Sequence, residues 1–300
     1  MAVNVKRIIE VIFHQSKYLL FFLVLMATTL CFLYTDRVNA QVNNVIRPAE
    51  PIELFNGKDL TGFYTWLVDH EFEDPDNVFS VVDRIDGAPA IRISGEHWGG
   101  IITEESYANY HLIVEFRWGS ITYGDRKDLA LDSGILLHAQ GPEGNYTPDF
   151  NAPWMRSVEY QIIEGGTGDI ILVRGYSEDG ELLMPELKST VTQNYRGQYR
   201  WDPDGEVRTY ADSGNRFFWY GRDPDWTGEL GFRGFQDVEN PVGEWNRIEI
   251  IAEEDTFVFL LNGKVVNKGF DSSLTEGQLL FQSEGAEIFF RRIELHPLSR

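Results

Sequence analysis

No stretch of residues 41–300 keeps apolar side chains at helical spacing over three turns. What recurs instead is a short run of β-branched, aromatic and aliphatic residues closed by a turn. Such runs stand at 112–118, 134–138, 158–163, 169–173, 247–252, 256–261, 264–266, 278–282 and 287–295. Asn262-Gly263 lies between two of them and supplies the two positive-φ positions of a tight hairpin. A short helical turn is expected near 103–107. Many antiparallel strands at this spacing predict an all-β, two-sheet antiparallel β-sandwich of the jelly-roll kind. Residues 189–236 differ. Tyr195, Tyr199, Trp201, Tyr210, Phe217, Phe218, Trp219, Tyr220 and Trp226 stand there without period, among Asp, Gly and Arg. The segment reads as long loops over one face of the sandwich, where loops on a rigid scaffold carry function; the alternative is that its aromatics only anchor the loops.

The first forty residues set the compartment. Lys6, Arg7 and Lys17 precede an apolar run of 17 residues, 18–34, and Val38-Asn39-Ala40 offers small residues before Gln41. This is the pattern of a secretory signal peptide over 1–40, cleaved after Ala40. Uncleaved, the same run is at the lower edge of what spans a bilayer and would anchor the chain. Cys31 follows Leu30, which argues against a lipid-acceptor cysteine. Residues 41–50 read as a short linker, and 51–300 as one domain large enough to bury a core without staples.

Cys31 is the chain's one cysteine, so the segment after Ala40 has no disulfide, thiol nucleophile or thiolate metal ligand. Export without disulfides suits a bacterial periplasm or cell surface. Four basic and two acidic side chains lie in 1–40, so the formal charge of −21 becomes −21 − 2 = −23 beyond it. A field of that sign repels phosphate backbones and excludes nucleic acid as a partner. No protein partner is signalled, and membrane contact is expected only if the N-terminal run stays uncleaved. Nucleophile elbow, phosphate loop, dinucleotide fingerprint and His-Glu-x-x-His are all absent.

Several short motifs, in order, carry a resemblance. They are Phe55-Asn56-Gly57-Lys58-Asp59-Leu60 with Gly62, Ser133-Gly134-Ile135 with His138, and Glu159-Tyr160-Gln161-Ile162. Gly243-Glu244-Trp245-Asn246 then precedes Leu261-Asn262-Gly263, and Phe281-Gln282 precedes Phe290-Arg291-Arg292-Ile293. Together, over about 51–298, they resemble the 3-keto-disaccharide hydrolase family. The resemblance implies a concanavalin A/laminin-G-like sandwich acting on oxidised sugars. Two residues depart from the family pattern: Asp132 replaces an Asn, and Arg292 replaces the Asn after Arg291. Either departure bears on substrate contacts or metal affinity.

That resemblance defines the chemistry to look for. A ketone at C3 acidifies the C2 proton, so a base can remove it, the glycosidic oxygen leaves from C1, and water adds to the enone. The protein needs a base, a stabiliser for the keto oxygen and an acid. Glu159 is the candidate base, sharing a strand face with Gln161 and Ile163; the alternative is a Glu on an outer sheet face. His138, at the end of an apolar strand and on the face of Leu136, is a candidate proton donor or the partner of a backbone group. Arg291 shares a face with Phe289 and Ile293, both expected in the core. It reads either as the enolate stabiliser or as a structural ion pair with Glu159 or Asp132. Asp132 and Glu164 are candidate substrate ligands, each with an ordinary turn role as the alternative. Gln161 and Gln282 are expected to line the groove. His97, Trp98 and Trp154 are expected beside it, with the tryptophans facing a pyranose ring or else packing in the core. No metal site is assigned. Sandwiches of this class often hold calcium, which leaves a divalent cation open at Asp74/Asp76 or Asp202/Asp204. A small carbohydrate is the expected ligand, and a lectin-like binding module on the same fold is the alternative to an enzyme.

Overall fold

The computed structural model of the chain describes residues 45–211 and 216–298. The expected signal peptide, Cys31 and residues 41–44 of the linker lie outside that range. Among the described residues the architecture is two packed antiparallel sheets. One has seven strands, ordered Arg216–Phe217, Ile170–Val173, Arg156–Ile163, Asp132–Gln140, Gln278–Ser283, Gly99–Thr103 and Phe63–Leu67. The other runs Lys264–Gly269, Thr256–Leu261, Asn246–Glu253, Tyr110–Thr122, Ala286–His296, Ala88–Ile93 and Phe79–Ile85, with Ile52–Glu53 added on Ala286–His296. Non-consecutive neighbours, such as Tyr110–Thr122 beside Asn246–Glu253 and Asp132–Gln140 beside Gln278–Ser283, make this the expected jelly-roll sandwich.

Period-two patterning builds the layer between the sheets. On Tyr110–Thr122 the side chains of Tyr110, Leu112, Val114, Phe116 and Trp118 are buried, while His111, Glu115 and Arg117 stay partly exposed. Aromatic pairs bridge the layers: Tyr160 meets Phe259 at 4.7 Å between ring centroids, and Phe281 meets Phe290 at 5.3 Å. The Asn262-Gly263 hairpin forms as its sequence predicts, with φ of 49° and 77°.

The two sheets differ in their outer faces. Tyr110–Thr122 is open on one side, but Asp132–Gln140 is buried on both over all but its last residue. Residues 141–155 fold across one end of the seven-stranded sheet. They cover an apolar patch of Trp66, Ile102, Leu136, Ala139, Met155, Val173 and Leu280, and Trp66 Nε1 donates to the carbonyl of Ala152 at 2.9 Å. Later segments cover the other end.

Three local expectations are corrected. Strand Gly99–Thr103 and a bridge from Tyr107 to Gly277 occupy the stretch where a helical turn was expected, and the 3₁₀ turn lies at Gly124–Arg126. Residues 189–236 are not loops throughout. Leu187–Gln193 pairs with Tyr199–Trp201 and Glu206–Tyr210, and Arg216–Phe217 joins the edge of the large sheet. The strand signal was there: Leu187, Ser189 and Val191 alternate inward. Ile46 bridges to Tyr107 and packs on the core, so the end of the expected linker lies along the sandwich.

One buried acid shows how strongly this interior acts on charge. Trp118 Nε1 donates to Glu239 Oε1 at 2.7 Å, and Thr167 Oγ1 lies 3.0 Å from Glu239 Oε2 and 3.1 Å from the Ile163 carbonyl. A hydroxyl has one proton, so Thr167 donates to only one of these two oxygens at a time. Burial, with the Asp237 charge adding to it, pushes Glu239 up to about 8. The folded value exceeds the unfolded one, so this group's stabilisation is complete at low pH and is lost as pH rises to about 8. Glu239→Gln keeps both hydrogen bonds without the charge. Thermal melts should show an unchanged Tm at pH 4, a higher Tm than wild type at pH 9, and a shallower fall between them.

Candidate active site

Strand alternation sends Val158, Tyr160 and Ile162 into the core between the sheets, so Glu159 and Gln161 face the other way. The register sets Leu136 opposite Glu159 and Gly134 opposite Gln161, which brings Asp132, Glu159, Gln161 and Gln282 onto one outer face. This is the face that later segments cover. Glu159 is 5% exposed, Asp132 and Gln161 3%, and Gln282 1%. A carboxylate buried to that degree needs a partner or a proton.

Most of the acids here find a partner in one connected chain. Arg126 pairs with Asp132 and, at 2.9 Å, with Glu284. Gln161 Nε2 donates to Asp132 Oδ1 at 2.6 Å and to the Ser133 carbonyl at 2.9 Å. Arg216 Nη2 donates to Gln161 Oε1 at 2.6 Å. Asp169 accepts from Arg222 at 2.6 Å and from the Trp219 amide at 2.8 Å, with Arg216 at 3.7 Å. Four carboxyl groups (Asp132, Glu159, Asp169, Glu284) thus meet three guanidiniums. Of these four, Glu159 is the one with no arginine within ion-pair distance. Burial first, then the Glu284 charge, pushes it up to about 8, against the opposing pull of Arg216 and Gln282. A carboxyl poised near neutrality in a buried polar site has the character of a proton-transfer group.

Gly134 makes room for that group. A Cβ there would lie 2.6 Å from Glu159 Oε1 and 2.3 Å from Gln282 Oε1, so only a bare backbone lets the two head groups approach across the strand. Gln282 Oε1 is buried and has no hydrogen-bond donor among the described residues.

Two clefts open on this side of the sandwich. The first, about 400 Å³, is lined by Ile171, Gln198, Arg216, Phe218, Arg222, Asp223 and Trp226. Ile171 is the direct cross-strand neighbour of Glu159, so the cleft adjoins the candidate base. The Arg222 guanidinium stacks on Trp226 at 3.8 Å. The second cleft, about 450 Å³, has Asp69, His97, Trp98, Tyr146 and Asn151 in its walls. Trp98 is 40% exposed and lies 6.0 Å from Trp154 at an interplanar angle of 31°.

The family model for the 3-keto-alpha-glucoside-1,2-lyase-like domain matches residues 50–296. The chain belongs to this family. It is a carbohydrate-active protein of the glycosyl hydrolase-like kind. No curated protein matches the sequence. Among solved structures, it is similar to a candidate glycosyl hydrolase from Parabacteroides distasonis ATCC 8503, with 19% identity, 83% of this chain and 94% of that one covered, and a TM-score of 0.45. It is similar to the carbohydrate-binding module CBM66 from Bacillus subtilis at 13% identity, 78% and 95% coverage and a TM-score of 0.38. For the Bacillus licheniformis beta-glucanase the values are 9%, 86% and 96%, and 0.35.

Two residues expected at the lyase-like site lie elsewhere. His138 has a φ of 53° at a break in strand register between Leu137 and Gln140. The inserted residue turns its ring away from the face of Leu136 and into the core, against Tyr110 and Phe257, with Nδ1 on the Leu274 carbonyl at 3.1 Å. Burial pulls it down to about 4, so it is a neutral core histidine. Arg291 is on the other sheet, pairing with Glu115 at 2.7 Å and stacking on Trp245 at 3.8 Å. A second register break, with Arg292 at a φ of 54°, sends Phe290 and Ile293 inward and leaves Phe289 and Arg291 facing out. The ion pair expected for Arg291 exists, but its partner is neither Glu159 nor Asp132.

Glu164 is buried beneath the covering loop and holds it: Oε2 accepts from the Gly231 amide at 2.9 Å, and its carbonyl accepts from Trp226 Nε1 at 2.8 Å. His97, Trp98 and Trp154 gather at the second cleft. Asp74 accepts from the Val78 and Phe79 amides, and Asp202 from the Asp204 amide, both as turn formers. Arg126, Asp169, Arg216, Arg222 and Glu284 were not anticipated. Glu284 was within reach, since it stands two residues from Gln282 near the end of the same strand; the arginines gave no local signal.

Gly134→Ala should destabilise the protein by about 1–3 kcal/mol in urea unfolding, because the added methyl meets two side chains that the sheet holds in place.

Proposed function

We propose that this is an exported enzyme that cleaves 3-keto-glycosides by C2 deprotonation, with Glu159 as the base. The observation that carries the reading is the isolation of Glu159 among three arginines that all serve other acids. As the carboxylate, Glu159 takes the C2 proton. The C2–H electrons pass into the C2–C3 bond as the ketone becomes an enolate, then return to form the C1–C2 double bond as the glycosidic oxygen leaves C1 with its bonding pair and takes up a proton from water. Arg216, at the wall of the adjoining cleft, neutralises the enolate developing at the C3 oxygen, the role first considered for Arg291. Water then adds at C1, and Glu159 returns its proton to C2. Gln282 Oε1 accepts from a sugar hydroxyl, and Trp226 offers a ring edge to the aglycone side. The charged, then apolar, then small-residue order of 1–40 supports export, and the proposal is for a reaction in the periplasm or at the cell surface of a bacterium.

The Trp98–Trp154 pair favours a second reading, a sugar-binding face without turnover, since an exposed ring offers a platform for pyranose C–H groups. Product analysis with 3-keto-glucosides and with the unoxidised parent sugars separates the two. Cleavage of the keto forms alone supports the enzyme, and binding with no cleavage of either supports the module.

In the enzyme reading Glu159→Gln lowers kcat by about 10²–10⁴-fold with a normal melting profile, and a folded variant that retains turnover removes Glu159 from the base role. The base must be ionised, so kcat/KM rises with pH, is half-maximal near pH 8 and levels off above that. Arg216→Ala costs about 10²-fold in kcat, whereas Arg291→Ala leaves kcat unchanged.

A further inference from the structure

At the margin of the second cleft, where His97 is part of the wall, stands a group of side chains that the sugar chemistry does not use. His70, Asp76 and His97 each present one ligand atom, and the three atoms lie within 4.8 Å of one another. His97 Nε2 is 3.2 Å from Asp76 Oδ2, and His70 Nε2 is 3.4 Å from the same oxygen. A tetrahedral zinc with metal–ligand bonds of about 2.0–2.1 Å separates its ligand atoms by roughly 3.3 Å. The two measured edges therefore already have the length such an ion requires.

The surroundings repeat the pattern of a metal site. The other nitrogen of His97, Nδ1, lies 3.1 Å from Asp69 Oδ2. A carboxylate there fixes the Nδ1–H tautomer and leaves the Nε2 lone pair for a metal. His70 Nε2 is buried and has no hydrogen-bond partner among the described residues, so its contact with Asp76 is proximity without a bond. The two rings meet edge to face with centroids 4.8 Å apart, which brings both nitrogens to the same carboxylate. The ligands come from two loops. His70 and Asp76 follow strand Phe63–Leu67, His97 precedes strand Gly99–Thr103, and those strands pair in register with Leu67 opposite Gly99. Ser283 Oγ donates to the His97 carbonyl at 2.6 Å and fixes the second loop on the neighbouring strand.

We propose that His70, Asp76 and His97 bind a first-row divalent transition metal, zinc above all, with Asp69 orienting His97. Two imidazoles and one carboxylate suit zinc and disfavour calcium, which takes oxygen ligands. Three protein ligands leave a coordination position open. His97 and Trp98 line the same cleft, so that position is available to water or to the hydroxyl of a sugar resting on Trp98.

The test is binding, not turnover. Untagged full chain is stripped with a chelator, dialysed against micromolar zinc and analysed for retained metal and thermal stability. Wild type should hold one zinc per chain and gain about 5 °C or more in Tm at a hundredfold excess over Kd, while calcium at the same concentration changes nothing. His97→Gln and Asp76→Asn should abolish the retained zinc. Asp69→Asn, which keeps all three ligands, should weaken binding by about 10–100-fold. Equal melting of all variants in chelator shows that each is folded. Zinc retained equally by wild type and by both ligand variants, no retention by wild type, or an equal response to calcium would each overturn the proposal.

Discussion

A sheet buried on both faces cannot carry a row of acids unless the segments that bury it also bring cations. The seven-stranded sheet has Asp132, Glu159 and Glu284 on its outer side and Asp169 at the head of an adjoining strand. Transfer of each as an isolated charge would cost more than a domain's net stability. Arg126 arrives from the crossover between the sheets, and Arg216 and Arg222 arrive from the segment that returns over the face. Covering the sheet and neutralising its acids are therefore one structural event.

The neutralisation stops one charge short. Gln161 links the Arg126 and Arg216 ends of the network through its amide, donating to Asp132 at one side and accepting from Arg216 at the other. Each arginine already has a partner within the network, and Glu159, two residues from Gln161 on the same face, has only Gln282 and the space over Gly134 beside it. An ordinary glycosidase sets two carboxyl groups across the scissile bond. Here Glu159 is held near neutrality with no arginine of its own, while its neighbours Asp132, Asp169 and Glu284, also raised by burial, have guanidinium partners that oppose the rise. That arrangement suits removal of one weakly acidic proton.

The same face divides into two regions of different chemistry. Around Arg216, Arg222 and Trp226 it is cationic and tied to the catalytic candidates by strand register. Around Trp98, Trp154 and Tyr146 it is aromatic, with the apolar patch under residues 141–155 lying beside it. A ligand with a charged transition state and an apolar ring face has a complementary surface in each region.

The sequence by itself determined the class of fold, most of the strands and the hairpin at Asn262-Gly263, because period-two burial and positive-φ turns are local properties. It also put Glu159 with Gln161 on one face, since strand alternation needs no knowledge of the partner strand, while Asp132 and Gln282 came only from the motifs of the family resemblance. Tertiary structure decided the rest. His138 and Arg291 read as site residues only if alternation continues unbroken, and in each case one extra residue, at His138 and at Arg292, reverses which side chains face inward. Arg126, Arg216 and Arg222 reach the acids across sequence separations as large as 158 residues, through segments with no period of their own. His70, Asp76 and His97 stand in two loops that only the pairing of Leu67 with Gly99 brings together. Local pattern shows which way a side chain points; only the folded chain shows what waits for it there.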